Sequence, residues 1–163
     1  MATPTRPALS ASKEERMKLE NEFRVSSPVQ KVWEALLDLE RVTPCLPGAA
    51  LTEQAGDHYK GTMAVKLGPV TARYSGTVRF VETDERARRA VIEAKGRDVR
   101  GQGTASATIT STLHEEEGER TRVVVRTEMR LTGRVAQFGR GIQQDVASKI
   151  MDRFASCLEN EVF

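Results

Sequence analysis

Apolar residues recur through residues 134–163 at Val135, Phe138, Ile142, Val146, Ile150, Phe154, Cys157 and Leu158, the three-to-four-residue spacing of one helical face. Arg140, Gln143, Gln144, Lys149, Asp152, Arg153, Glu159 and Asn160 fill the other sides. This pattern predicts one helix over the whole stretch, roughly 40 Å long at about 1.5 Å per residue. An element of that length needs a long apolar trough to lie in. The middle of the chain supplies strands to build one.

Upstream, Met17, Leu19, Asn21, Phe23 and Val25 alternate with Lys18, Glu20, Glu22 and Arg24, which predicts a half-buried strand with one polar inward position. Ser27-Pro28-Val29-Gln30 reads as a helix start, with Ser27 as cap, Pro28 in the first turn and Gln30 closing a capping box. Val29, Val32, Trp33, Leu36 and Leu37 make its buried face. A second short helix is expected from Asp38 through Val42, stopped by Pro44. Thr43-Pro44-Cys45-Leu46-Pro47-Gly48 then forms a stiff apolar connector. Strands follow over residues 50–54, 59–67, 70–82, 87–97, 101–113 and 122–131, separated by short turns that favour antiparallel neighbours. The fold class is α+β: a curved seven-stranded antiparallel sheet gripping the long C-terminal helix, with two short helices after the first strand. Residues 1–15 lack apolar periodicity and read as a mobile N-terminal arm, leaving residues 16–163 as a single domain.

The inward sides of these strands are uneven. Tyr59, Met63, Val65 and Leu67, then Val70, Tyr74, Val78 and Phe80, are mostly large, whereas Ala90, Ile92, Ala94 and Gly96, then Ala105, Ala107, Ile109 and Ser111, are mostly small. Val123, Val125, Met129 and Leu131 are large again. Either the helix approaches closely where the lining is small, or an apolar space is left for a ligand. The second reading makes Leu46, Met63, Val65, Tyr74, Val78, Phe80, Ile92, Ala94, Ala107, Ile109, Met129, Phe138, Ile142, Val146 and Ile150 the ligand-binding residues. Asn21 and Tyr74 are the polar groups on that wall. Gly139 and Gly141, each costing about 1 kcal/mol inside a helix, suggest either a hinge or mouth around Arg140 or an irregular lead-in with the true helix starting near Ile142.

Composition removes several function classes. A net charge of +2 over 163 residues gives no basis for nucleic-acid binding. No apolar run reaches the roughly 18 residues a membrane-spanning helix needs. Cys45 and Cys157 lack metal-ligand spacing and, without a signal peptide, read as reduced thiols in a cytoplasmic protein. Cys45 with His58 would be the one nucleophile and base, and nothing orients either. An enzyme would otherwise draw on Tyr74, Asn21 or His58. Gly101-Gln102-Gly103 lacks the strand-loop-helix setting of a nucleotide site, and no metal cluster is visible. Arg73, Arg79, Arg122, Arg126 and Arg130 alternate with Glu82, Glu93 and Glu128 as a solvated sheet surface. Arg134 and Arg140 flank Phe138, and with Pro44, Cys45 and Pro47 they form the expected partner-docking set.

Three ordered motifs carry a family resemblance: Thr43-Pro44-Cys45-Leu46-Pro47-Gly48-Ala49, Gly68-Pro69 with Tyr74-Ser75-Gly76, and Gly133-Arg134-Val135-Ala136-Gln137-Phe138-Gly139-Arg140-Gly141. Together they resemble the G-subunit family of carbon monoxide dehydrogenase, within the START-like, Bet v 1-like superfamily, over residues 17–161. The resemblance implies a helix-grip fold enclosing a hydrophobic cavity. It also implies an accessory role beside a molybdenum carbon monoxide dehydrogenase or related hydroxylase. Members recruit that enzyme to the cytoplasmic membrane, many through an apolar anchor beyond the domain. The chain given ends at Phe163 ahead of any anchor, so attachment is expected through a segment outside it. The expected function is a non-catalytic carrier of a lipid-like ligand, for which a respiratory quinone has the right shape, working on the inner face of the membrane. Its rivals are a START-like cyclase or hydrolase and a docking module without ligand.

Overall fold

Strand β1 (Glu14–Val25) alternates as predicted, with Leu19, Phe23 and Val25 buried on one face. The computed structural model describes residues 14–163, so most of the expected N-terminal arm lies outside the described residues. Its last two positions are not arm: Glu14 and Glu15 are strand, paired with Thr132 and Leu131.

Helix α1 (Val29–Leu36) buries Val32, Trp33 and Ala35. The expected capping box does not form. Pro28 occupies the capping position, Ser27 is one residue too early, and Gln30 donates to Glu34 instead. Ser27 is nonetheless anchored, because the fully buried Thr121 hydroxyl donates to its carbonyl at 2.8 Å. Thr121→Val leaves that carbonyl unpaired and is expected to cost about 1–3 kcal/mol in urea unfolding. Helix α2 (Leu39–Val42) is capped by Asp38, whose carboxylate accepts from the Arg41 N–H at 3.2 Å. A tight helical turn, Thr43–Cys45, leads into the sheet.

Strands β2 (Ala49–Ala55), β3 (His58–Leu67), β4 (Val70–Asp84), β5 (Arg89–Asp98), β6 (Thr104–Glu116) and β7 (Arg120–Thr132) join β1 in one antiparallel sheet ordered β1-β7-β6-β5-β4-β3-β2. Irregularities at Leu51/Glu53 and Phe80/Glu82 break the ladder, as bulges that bend sheets do. Gly76 answers a tight spot between strands: a Cβ there would stand 1.8 Å from the Lys95 carbonyl oxygen.

The C-terminal stretch is not one helix. A short turn, Arg134–Gln137, is followed by extended Phe138 and Gly139, then by helix α3 (Arg140–Cys157) and a widened last turn, Leu158–Val162. The break re-phases the helix, and the expected stripe slips with it. Ile142 is 47% exposed, while Gln143 is buried and donates to the Val135 carbonyl at 3.0 Å. Gly139 and Gly141 face open space, so no close approach by the protein's own atoms explains them.

Cys45 and Cys157, expected as separate reduced thiols, form a disulfide whose Cα atoms lie 5.3 Å apart across 112 residues of chain. The Thr43–Cys45 turn meets the end of α3, a proximity that spacing along the chain does not reveal.

Buried side chains gather in two clusters. One surrounds Phe23, Trp33, Val123 and Leu158, with Phe154 edge-on to Phe23 at 5.9 Å. The other surrounds Leu67, Tyr74, Leu131 and Val135 near the start of α3.

Candidate functional site

Helix α3 rests chiefly on β1, with a lesser contact on β3. These strands lie near opposite edges of the sheet, so the helix bridges the inner faces of β4 to β7 between them. Register places the inward residues in rows across the floor. Tyr59, Val78, Ala94, Ala107, Met129 and Met17 form one row, and Phe80, Ile92, Ile109, Thr127 and Leu19 form the next.

The predicted ligand-binding residues fall into three groups. Met63, Val65, Val78, Phe80, Ile92, Ala94, Ala107, Ile109, Met129, Val146 and Ile150 are half-buried, although the β residues point inward, and so are Leu46 and Phe138. Tyr74 is buried, its ring lying over Gly96, where an added Cβ would come 3.1 Å from its own Cβ. Ile142 faces out. Phe80 and Ile109 pack against the first buried cluster and Val65, Met129, Phe138 and Val146 against the second, whereas Val78, Ile92, Ala94 and Ala107 belong to neither.

A depression of about 970 Å³ lies beside the start of α3, on the β1 side. Ala107, Met129 and Phe138 border it, but so do the outward-facing Lys18, Glu93, Lys95, Glu128 and Arg130. It is a partly polar recess bordered by both inward- and outward-facing strand residues.

Polar groups on the wall have partners that the sequence does not reveal. Asn21 Nδ2 donates to Ser148 Oγ at 3.1 Å, and Gln144 Nε2 donates to the Glu20 carbonyl at 3.3 Å, pinning α3 to β1. Burial, with the Asp98 charge second, pushes the Tyr74 phenol above its usual range, so it is a proton-bearing donor near neutral pH rather than a base. His58 is half-buried at the start of β3, its Nδ1 3.3 Å from the Asp57 carboxylate. The three residues an enzyme would use sit on different strands and are not brought together. The Cys45 and His58 pairing falls too, since the Cys45 sulfur is bonded to Cys157.

The expected docking set also divides. Arg134, Phe138 and Arg140 surround the start of α3, while Pro44 and Pro47 lie beside its end, roughly 25 Å away along the helix. Cys45 is 6% exposed and offers no surface to a partner. Among the described residues no cluster of His, Cys, Asp and Glu is placed to hold a metal ion. No helix among them is long and apolar enough to cross a membrane.

Solved structures share this architecture at low identity. A conserved protein from Geobacillus kaustophilus matches with a TM-score of 0.77 and 19% identity, over 90% of this chain and 95% of that one. The Zhui aromatase/cyclase from Streptomyces sp. R1128 matches at 0.59 and 15%, over 90% and 93%. Norcoclaurine synthase from Thalictrum flavum matches at 0.57 and 13%, over 89% and 87%. These establish the fold alone. No curated protein matches the chain significantly. The family model of CoxG, the G subunit of carbon monoxide dehydrogenase, does match, over residues 22–163. That span takes in the end of β1, the rest of the sheet and the whole C-terminal helix. The chain therefore belongs to the CoxG family of carbon monoxide dehydrogenase G subunits.

Proposed function

We propose that this domain is a non-catalytic carrier that holds a lipid-like molecule between α3 and the inner face of β4 to β7. One observation carries the reading: the inward apolar residues Val78, Ala94 and Ala107 stay half-buried and belong to neither buried cluster. Filling that space with a hydrocarbon tail gains about 0.8 kcal/mol per methylene, so a tail of a few isoprene units supplies useful affinity. Membership of the CoxG family supports a carbon monoxide dehydrogenase or related molybdenum hydroxylase as the served enzyme. That enzyme must hand electrons on, and a respiratory quinone drawn from the inner face of the membrane fits both the shape and the need. Arg134 and Arg140, exposed around Phe138, are the natural place for the enzyme or an acidic surface to dock.

Native mass spectrometry of freshly purified protein, repeated after solvent extraction, tests this. An apolar small molecule near one per chain is the expected result. Ala94→Phe, which fills the floor of the trough, is expected to remove it while circular dichroism stays unchanged. Equal ligand content in that variant would count against the trough.

A further inference from the structure

Helix α3 is anchored along its length except at its start. Cys157 is bonded to Cys45, Ser148 accepts from Asn21, and the Gln144 amide donates to the Glu20 carbonyl. The buried Gln143 side chain donates to the Val135 carbonyl at 3.0 Å. On the far side of the break, Val135 and Ala136 are buried in the second cluster. Between these anchors Gly139, Arg140, Gly141 and Ile142 are all exposed, and Phe138 is half-buried.

This first turn is weakly held. Gly139 stands at the capping position and has no side chain to accept from the first N–H groups. The turn contains no acidic residue, and Arg140 sets a cation at the positive end of the helix dipole. Gly141 lies inside the helix, where glycine favours the unwound chain. Neither glycine has a positive φ, and a Cβ on either would meet nothing within 4 Å. Packing and backbone geometry would accept other residues at both places, so the turn is looser than the fold requires.

The same segment borders the recess of about 970 Å³, where residues 136–140 share the rim with Met17, Ala107 and Met129. We propose that residues 138–142 are a gate for this recess. They unwind as a local unit, pivoting at Gln143, while the anchored remainder of α3 stays on the sheet. Opening moves Phe138 off the rim and widens the way to Ala107 and Met129. What passes is the apolar ligand of the carrier reading, on which this inference rests.

Residue-resolved amide exchange of the full chain, followed by nuclear magnetic resonance, tests the opening. Unwinding frees the N–H groups of Gln143, Gln144, Asp145 and Val146, which the helical pattern bonds to the carbonyls of residues 139–142. They are expected to exchange at least about tenfold faster than those of residues 150–154. Gly139→Asp with Gly141→Ala supplies a cap and removes a glycine from the helix, and is expected to slow that exchange about tenfold. Stopped-flow binding of N-phenyl-1-naphthylamine to the solvent-extracted chain tests the gate. In the double variant, association and dissociation are both expected to slow about tenfold with Kd unchanged, a pattern that altered contacts with the probe would not give. Uniform exchange along α3, or probe rates that ignore the variant, would overturn the gate and leave the carrier reading standing. No binding of the probe would overturn the carrier reading and the gate with it.

Discussion

Trp33→Ala is expected to destabilise the domain by about 3–5 kcal/mol, the range for emptying a buried aromatic site. Trp33 is 2% exposed in the cluster that joins α1 to Phe23, Leu113, Val123 and Leu158. Helix α1 has eight residues and no side-chain cap, too short to persist without packing. Trp33 and Val32 are what hold it to the sheet. Urea unfolding followed by far-ultraviolet circular dichroism is the measurement, since the chain has one tryptophan and the variant loses its fluorescence. With total stabilities near 5–15 kcal/mol, such a loss would leave a measurable unfolded fraction at growth temperature. A change below about 1 kcal/mol would mean that α1 does not contribute to the main core.

The sheet was readable because strand alternation is local. Once Val78, Ala94, Ala107 and Met129 are each assigned inward by parity, antiparallel pairing puts them side by side, and the observed register does so. Parity also told which inward positions were small or polar, Asn21 included. What parity does not contain is contact between distant elements. Asn21 meets Ser148 across 127 residues, and no periodicity announces it. The C-terminal stretch misled for another reason. A three-to-four-residue spacing continues unbroken through Val135, Phe138 and Ile142, yet extended Phe138 and Gly139 interrupt the helix between them. Helical phase is lost there, so Ile142 turns outward and Gln143 takes the buried place. The docking set falls into two halves at opposite ends of α3, a separation that only the fold defines.

Reduction of the Cys45–Cys157 bond is expected to cost about 2–4 kcal/mol. The bond joins the turn before β2 to the last residue of α3 and closes a loop of 112 residues. Loops on the order of 100 residues restrict the unfolded chain most, with about 4.7 kcal/mol as the purely entropic figure. Cys45 and Cys157 both lie in or against the main cluster, so the thiols themselves would still be buried after reduction. The loss should therefore appear as a lower urea midpoint with the fold retained, in dithiothreitol or in Cys45→Ser with Cys157→Ser. Alkylation of the denatured chain gives an independent check: two groups are expected to add only after reduction. The bond secures one end of α3, so under the proposed carrier function reduced protein is also expected to release its ligand faster. Alkylation of both cysteines without reductant would return them to the reduced thiols first expected of them, and the helix would then be held at that end by Leu158 and the hydrogen bond from Ser26 N–H to Glu159.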